Sequence, residues 1–170
     1  METGNDKTGE SGSREPRSKK KSLILVVDDQ ATVILIMSKM LRPKYDICVA
    51  TDGKKAIEVA RNMLPDLILL DNLMPGMSGI EACMILKSDP LTRKIPVIFV
   101  TSMDDKHNEA IGFNAGAVDY IPKPPSTEIV LARISVHLNN ARQQEFVSRI
   151  ARGELIDLAD IREKARSLIQ

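Results

Sequence analysis

Four polar features stand at the ends of short apolar runs: the acid pair Asp28-Asp29, the acid Asp71, the hydroxyl pair Thr101-Ser102, and Lys123. Charged groups at the ends of buried strands are costly unless something uses them. The runs before the first three, Leu23-Ile24-Leu25-Val26-Val27, Asp66-Leu67-Ile68-Leu69-Leu70 and Pro96-Val97-Ile98-Phe99-Val100, are strand-length and lack polar alternation. That is the pattern of strands buried on both faces of a parallel sheet. In open parallel sheets ligands bind outside the carboxyl ends of the strands, so acids far apart in sequence converge there. Carboxylates gathered in this way repel one another. A hard divalent cation such as Mg²⁺, which takes oxygen ligands and keeps several waters, is the usual remedy.

The elements that must position these groups alternate along the chain. Ala31 to Leu41 carries Val33, Ile34, Met37, Met40 and Leu41 at helical spacing, and Pro43 follows it. Tyr45 to Ala50 reads as a strand, and Asp52-Gly53 opens a helix with Ala56, Ile57, Val59, Ala60 and Met63 inward, ending before Pro65. Ser78 caps a helix of Ile80, Ala82, Cys83, Ile85 and Leu86; Ile95 to Val100 is a strand; Asp104 or Asp105 caps a helix to about Asn114. Gly116 suits a left-handed helix exit, Val118 to Ile121 is a strand, and a fifth helix starts near Pro125-Ser126. Its stripe of Ile129, Val130, Ile134, Leu138 and Ala141 faces the core, Phe146, Val147 and Ile150 extend it, and Gly153 ends it. The pattern predicts an α/β domain, a doubly wound five-stranded parallel sheet with βα repeated five times, followed by a C-terminal helical extension. Asp157 to Ile169 has amphipathic spacing and reads as a short helix packed on its own domain or on another chain.

Composition bounds the rest. With 170 residues, 43% hydrophobic and 28% charged, the expectation is one soluble domain at 22–143, a polar and basic disordered tail at 1–21, and a helical extension at 144–170. A net charge of +1 gives no general attraction to nucleic acid or anionic lipid. No apolar run approaches the roughly 20 residues that span a bilayer, and the polar N-terminus has no secretory pattern, so a cytoplasmic protein with no membrane association is expected. Cys48 and Cys83 lack zinc-site spacing and read as reduced core residues; His107 and His137 are isolated and read as surface or satisfied helix residues.

Taken together, Asp28-Asp29, the segment Asp71-Asn72-Leu73-Met74-Pro75-Gly76 with Ser78-Gly79, Thr101, and Tyr120-Ile121-Pro122-Lys123-Pro124 resemble the receiver domain of two-component response regulators, whose fold is flavodoxin-like. The likeness covers about Ser22 to Gln143, with Thr101 thirty positions after Asp71 and Lys123 twenty-two after Thr101, in that family's order. It implies that Asp71 accepts a phosphoryl group from a sensor histidine kinase or a histidine phosphotransfer protein. It further implies that Asp28, Asp29, Asp71 and the backbone carbonyl of Leu73 hold Mg²⁺, and that Lys123 contacts the same phosphoryl oxygens. Thr101 and Tyr120 become the switch pair, and the Lys123-Pro124 bond is expected to be cis. Leu73 and Met103 occupy the two positions that tune the lifetime of the phosphorylated state; both are apolar, so slow self-dephosphorylation is expected.

Blander readings exist for each residue. Asp28 and Asp29 could cap the helix that begins near Gln30, Asp71 could be a turn former before Pro75-Gly76, and Tyr120 could be a core aromatic among only five in the chain. A haloacid-dehalogenase type of phosphatase needs a second acid two residues after its nucleophile, where Leu73 stands, and no glycine-rich phosphate loop appears. An enzyme is therefore not expected. The residues after Gln143 are too few for a DNA reader or an enzymatic module, which favours a single-domain regulator or relay intermediate acting on a downstream protein target. A homodimer through the fourth and fifth helices or the terminal helices fits equally. The alternative is a transcriptional or enzymatic output acting through the tail or a shortened module.

Overall fold

The computed structural model describes residues 21–102, 106–154 and 166. Five strands, Leu23–Val27 (β1), Asp46–Ala50 (β2), Leu67–Leu70 (β3), Val97–Thr101 (β4) and Asp119–Pro122 (β5), alternate with five helices. The helices are Ala31–Leu41 (α1), Gly53–Met63 (α2), Gly79–Ser88 (α3), Lys106–Asn114 (α4) and Thr127–Ala151 (α5). All pairings are parallel, in the order β2-β1-β3-β4-β5, as the alternating pattern predicts.

Each inner strand sends successive side chains into two different cores. Leu25 and Val27 of β1 join Ala56, Ile57 and Ala60 of α2 and Ala82, Cys83 and Leu86 of α3 on one face of the sheet. Ile24 and Val26 join Met37 and Leu41 of α1 and Val130, Ile134 and Leu138 of α5 on the other. Two covered faces leave no place for a polar alternate residue, which is why these strands read as unbroken apolar runs.

Local chemistry sets the helix starts. Asp52 caps α2 by accepting from the Lys55 N–H at 2.9 Å, Ser78 and Glu81 form a reciprocal capping box on α3, and Ser126 accepts from Ile129 at the start of α5. Leu64 ends α2 in the left-handed region at φ 45°, and Gly116 and Gly153 take φ 96° and 69° at helix exits.

Several boundaries differ from the sequence reading by one or two residues. Strand β4 begins at Val97 because the Ile95 N–H is committed to a turn bond with Thr92 and Pro96 has none to give. Strand β2 starts one residue later than expected, and β5 shifts by one to Asp119–Pro122, its register set by Thr101 opposite Pro122. Three residues expected inside lie out: Met63 is 52% exposed at the end of α2, Ile85 39%, and Ile129 51% in the first turn of α5. Helix α5 runs unbroken through residue 143 as far as Ala151. The tail at 1–20, Met103, the expected cap at Asp104 or Asp105, and the segment Asp157 to Ile169 apart from Arg166 lie outside the described residues.

Candidate functional site

The sheet ladder itself gathers the site. Beyond β1 the Asp28 N–H reaches the Ala50 carbonyl, the Asp71 N–H donates to Val27 at 2.9 Å, and the Lys123 N–H donates to Thr101 at 3.0 Å. Residues distant in sequence are thereby held side by side at the carboxyl edge. Asp28, Asp71 and Thr101 are buried, with 2%, 3% and 1% exposure, while Asp29 faces solvent. One oxygen from each of Asp28, Asp29 and Asp71 lies within 4.8 Å of the others.

Lys123 Nζ enters this cluster, 2.5 Å from Asp28 Oδ2 and 3.3 Å from Asp71 Oδ2. Burial pulls the ammonium towards its neutral form, but the hydrogen bond to Asp28 and the fields of Asp71 and Asp28 outweigh it and raise its pKa above that of an ordinary lysine. In their charged forms, three carboxylates and one ammonium leave two negative charges at the mouth of the site, which one divalent cation neutralises. The second carboxylate oxygens are already committed: Asp28 Oδ1 accepts the Gln30 N–H and Asp71 Oδ1 the Asn72 N–H, each at 2.9 Å. The Asp28 bond spans two residues as in an Asx turn, whereas that of Asp71 reaches only its immediate neighbour and does not form the turn at Pro75-Gly76. Helix α1 has Gln30 at its N-cap with no side-chain capping bond, so neither Asp28 nor Asp29 serves as its cap.

Two contributors were not read from the sequence as anything beyond motif letters. Asn72 Oδ1 accepts from the Ile80 N–H at 3.0 Å and its carbonyl accepts from Gly79, stapling the loop after β3 to the start of α3. At Gly79 a Cβ would fall 2.1 Å from the Asp71 carbonyl oxygen, so only glycine lets α3 begin this close to the acceptor strand. A glycine directly after an N-cap serine, where better helix formers are available, was the signal in the sequence.

Thr101 Oγ1 is buried and has no hydrogen-bond partner among the described residues. An unmade buried bond costs about 1–3 kcal/mol, which makes this hydroxyl a group waiting for an acceptor. Tyr120 packs half-buried against the core formed with α2 and α3, beside Phe99. Leu73 is 53% exposed, and the Lys123-Pro124 bond is cis, as the resemblance led one to expect. A cavity of about 1030 Å³ lies at the other end of the sheet, lined in part by Lys87, Lys94, His137 and Glu145, and holds none of these residues. His137 is a satisfied helix residue, with Nε2 2.8 Å from Asp119 Oδ2. Both cysteines are free, and burial pushes the Cys83 thiol up to about 11.

A five-stranded parallel sheet thus brings three acids, a hydroxyl and a lysine together at its carboxyl edge. Residues 24–135 match the response regulator receiver domain, and the chain belongs to that family. It is 43% identical over 133 residues to response regulator PleD of Caulobacter vibrioides, covering 74% of this chain and 29% of that protein. It is 42% identical over 124 residues to a Vibrio cholerae protein described as a probable cyclic di-GMP phosphodiesterase, covering 73% and 28%. The chain thus spans less than a third of the length of these two relatives. The structure of the Vibrio cholerae chemotaxis protein CheY4 superposes with a TM-score of 0.65 at 25% identity, covering 68% of this chain and 97% of that one. Receivers of this family belong to two-component signalling, are phosphorylated on an aspartate with Mg²⁺, and interact with histidine kinases or phosphotransfer proteins. Among the described residues no helix is long and apolar enough to cross a membrane.

Proposed function

We propose that Asp71 is the phosphoacceptor of this receiver, taking the group from the phosphohistidine of a sensor kinase or of a histidine phosphotransfer protein. Support comes above all from the lodging of Lys123 Nζ between Asp28 and Asp71, at 2.5 and 3.3 Å, at the carboxyl edge of the sheet. In the transfer an Asp71 carboxylate oxygen bonds to phosphorus as the phosphorus–nitrogen bond of the donor breaks, and the departing imidazole takes a proton from water. Asp28, Asp29, Asp71 and the Leu73 carbonyl are the residues that would hold Mg²⁺. When bound, the ion supplies positive charge that neutralises the phosphoryl oxygens. Lys123 supplies a mobile point charge to the same oxygens, exchanging part of its pairing with Asp28 and Asp71 for the incoming anion.

Thr101 then donates its hydroxyl to a phosphoryl oxygen, and its movement opens space for Tyr120 to turn inward. The added group, roughly −1.5 to −2 charges, biases this pair between two arrangements, and the surface of α4, β5 and α5 reports the change to a downstream protein target. The output is a protein contact made by the phosphorylated receiver in the cytoplasm, or onward relay of the phosphoryl group. Incubation with acetyl phosphate and Mg²⁺ should add the mass of one phosphoryl group to the intact chain, and Asp71→Asn should abolish the addition. An unchanged mass would remove the proposal.

The alternative, a receiver joined to an enzymatic or transcriptional output, is favoured by one observation: the chain matches under a third of the length of two relatives, one of them described as a phosphodiesterase. A phosphorylation-dependent shift of DNA, or cyclic dinucleotide turnover by the full chain, would establish it.

A further inference from the structure

Helix α5 runs past the amino edge of the sheet: Arg142 bonds to Ser22, the residue before β1, and the helix continues to Ala151. The cavity of about 1030 Å³ at that edge lies between this overhang and the segment leading from α3 into β4. Its floor is apolar, with Ile95 and Ala141 half-buried and Val118 41% exposed. Two of its cations have no acid partner among the described residues. Lys87 Nζ donates to the carbonyls of Ile95 and Arg93, at 2.6 and 3.3 Å, and the exposed Arg93 guanidinium is unpaired. The acids that share the lining are already committed, Glu145 to Lys94 and Arg152, and Asp66 to the Leu23 N–H. Burial holds the Lys87 pKa below that of an ordinary lysine, so its ammonium gains from a carboxylate brought close to it.

The end of α5 delivers the chain to this cavity. A string of ion pairs leads outward from the rim: Lys94 to Glu145 at 3.3 Å, Glu145 to Arg152 at 3.2 Å, and Arg152 to Glu154 at 2.9 Å. Exposed pairs of this kind add little stability, but they locate Glu154 beside the rim. Gly153, at φ 69°, ends the helix, and the Glu154 N–H bonds back to the Arg149 carbonyl. At about 100° per residue, Glu145, Arg149 and Arg152 lie on the flank of α5 next to the cavity-lining His137, Ala141 and Ser148. That flank is opposite the exposed apolar residues Val136, Val147 and Ile150, so the chain leaves α5 towards the cavity and away from them. The next seven residues, Leu155 to Ile161, carry five apolar side chains, two acids and no base. We propose that Leu155 to Ile161 fold back into this cavity, with Leu158 and Ile161 over the apolar floor and Asp157 and Asp160 facing Lys87 and Arg93. Both pairs are spaced three apart, so each shares one side of a helical turn. The contact lies at the opposite end of the sheet from Asp71 and involves no step of the phosphoryl chemistry.

Amide NMR spectra of the full chain test the contact. Leu158→Glu combined with Ile161→Glu should shift the signals of Ile95, Val118 and Ala141 and leave those of Val27 and Asp71 in place. Arg93→Glu should speed hydrogen exchange at Leu158 and Ile161 severalfold, and Arg93→Lys should keep it slow. Unmoved signals at Ile95, Val118 and Ala141 overturn the proposal, as do shifts confined to Val136, Val147 and Ile150, which would put the segment on the other flank of α5. Shifts that fade on dilution place a second copy's segment in the cavity and overturn the contact within one chain. Exchange indifferent to Arg93→Glu overturns the pairing of the acids with the cavity's cations.

Discussion

Replacing Lys123 by Met removes the ammonium between Asp28 and Asp71 while keeping a long apolar stem. At an effective dielectric of about 20, charges 2.5 and 3.3 Å apart attract with gross energies of about 7 and 5 kcal/mol. Desolvation of the three groups offsets most of that, and removing one partner of a buried pair costs about 3–5 kcal/mol. The Lys123 side chain keeps 16% exposure against 3% and 4% for the two acids, so water screens part of the loss and the lower end, about 3 kcal/mol, is expected. That is a large part of a total stability of about 5–15 kcal/mol. Urea unfolding at neutral pH in EDTA should reveal the loss, and Mg²⁺ should recover much of it by returning positive charge to the same oxygens. A loss under about 1 kcal/mol in EDTA, or one that Mg²⁺ leaves untouched, would refute the reasoning.

The same pair of proteins carries a pH signature. The folded-state pKa of Lys123 is raised, so its stabilisation is fully present below the unfolded lysine value of about 10.4 and is lost as pH climbs through the higher folded one. The stability gap between the wild type and Lys123→Met should therefore hold steady from neutral to mildly alkaline pH and close only in strong alkali.

Gly79→Ala places a methyl 2.1 Å from the Asp71 carbonyl oxygen. It should cost at least about 1–3 kcal/mol in urea unfolding and slow phosphorylation by displacing the Asp71 main chain. Thr101→Val replaces a buried hydroxyl that has no partner among the described residues with a methyl and should raise the stability by about 1 kcal/mol. Phosphoryl uptake should persist in that variant, while the chemical-shift response of Tyr120 in NMR spectra should vanish. Leu73→Asn combined with Met103→Glu offers polar groups that can orient water, and a phosphate-release assay should show faster loss of the phosphoryl group.

Much of the architecture was legible because burial on both sheet faces writes itself as unbroken apolar runs, and the same runs mark where Asp28, Asp71 and Thr101 must lie. What remained hidden depended on partners in three dimensions. Adjacent acids are equivalent on the page, yet Asp28 is buried against Lys123 while Asp29 faces water. The staple from Asn72 to Ile80 joins positions whose bonding has no sequence pattern. Ile129 was read into the core stripe of α5 and lies outside, because at about 100° per residue it points well round the helix from its buried neighbour Val130. The one-residue shift of β5 reflects pairing with β4, which local propensity does not encode.

Reductive trapping tests the acceptor assignment most directly. After incubation with acetyl phosphate and Mg²⁺, borohydride converts an aspartyl phosphate to homoserine, and peptide mapping reports where. Conversion at position 71 alone, dependent on Mg²⁺ and diminished in Lys123→Met, is the predicted result. Conversion at Asp28, Asp29 or elsewhere, or none at all, would contradict it.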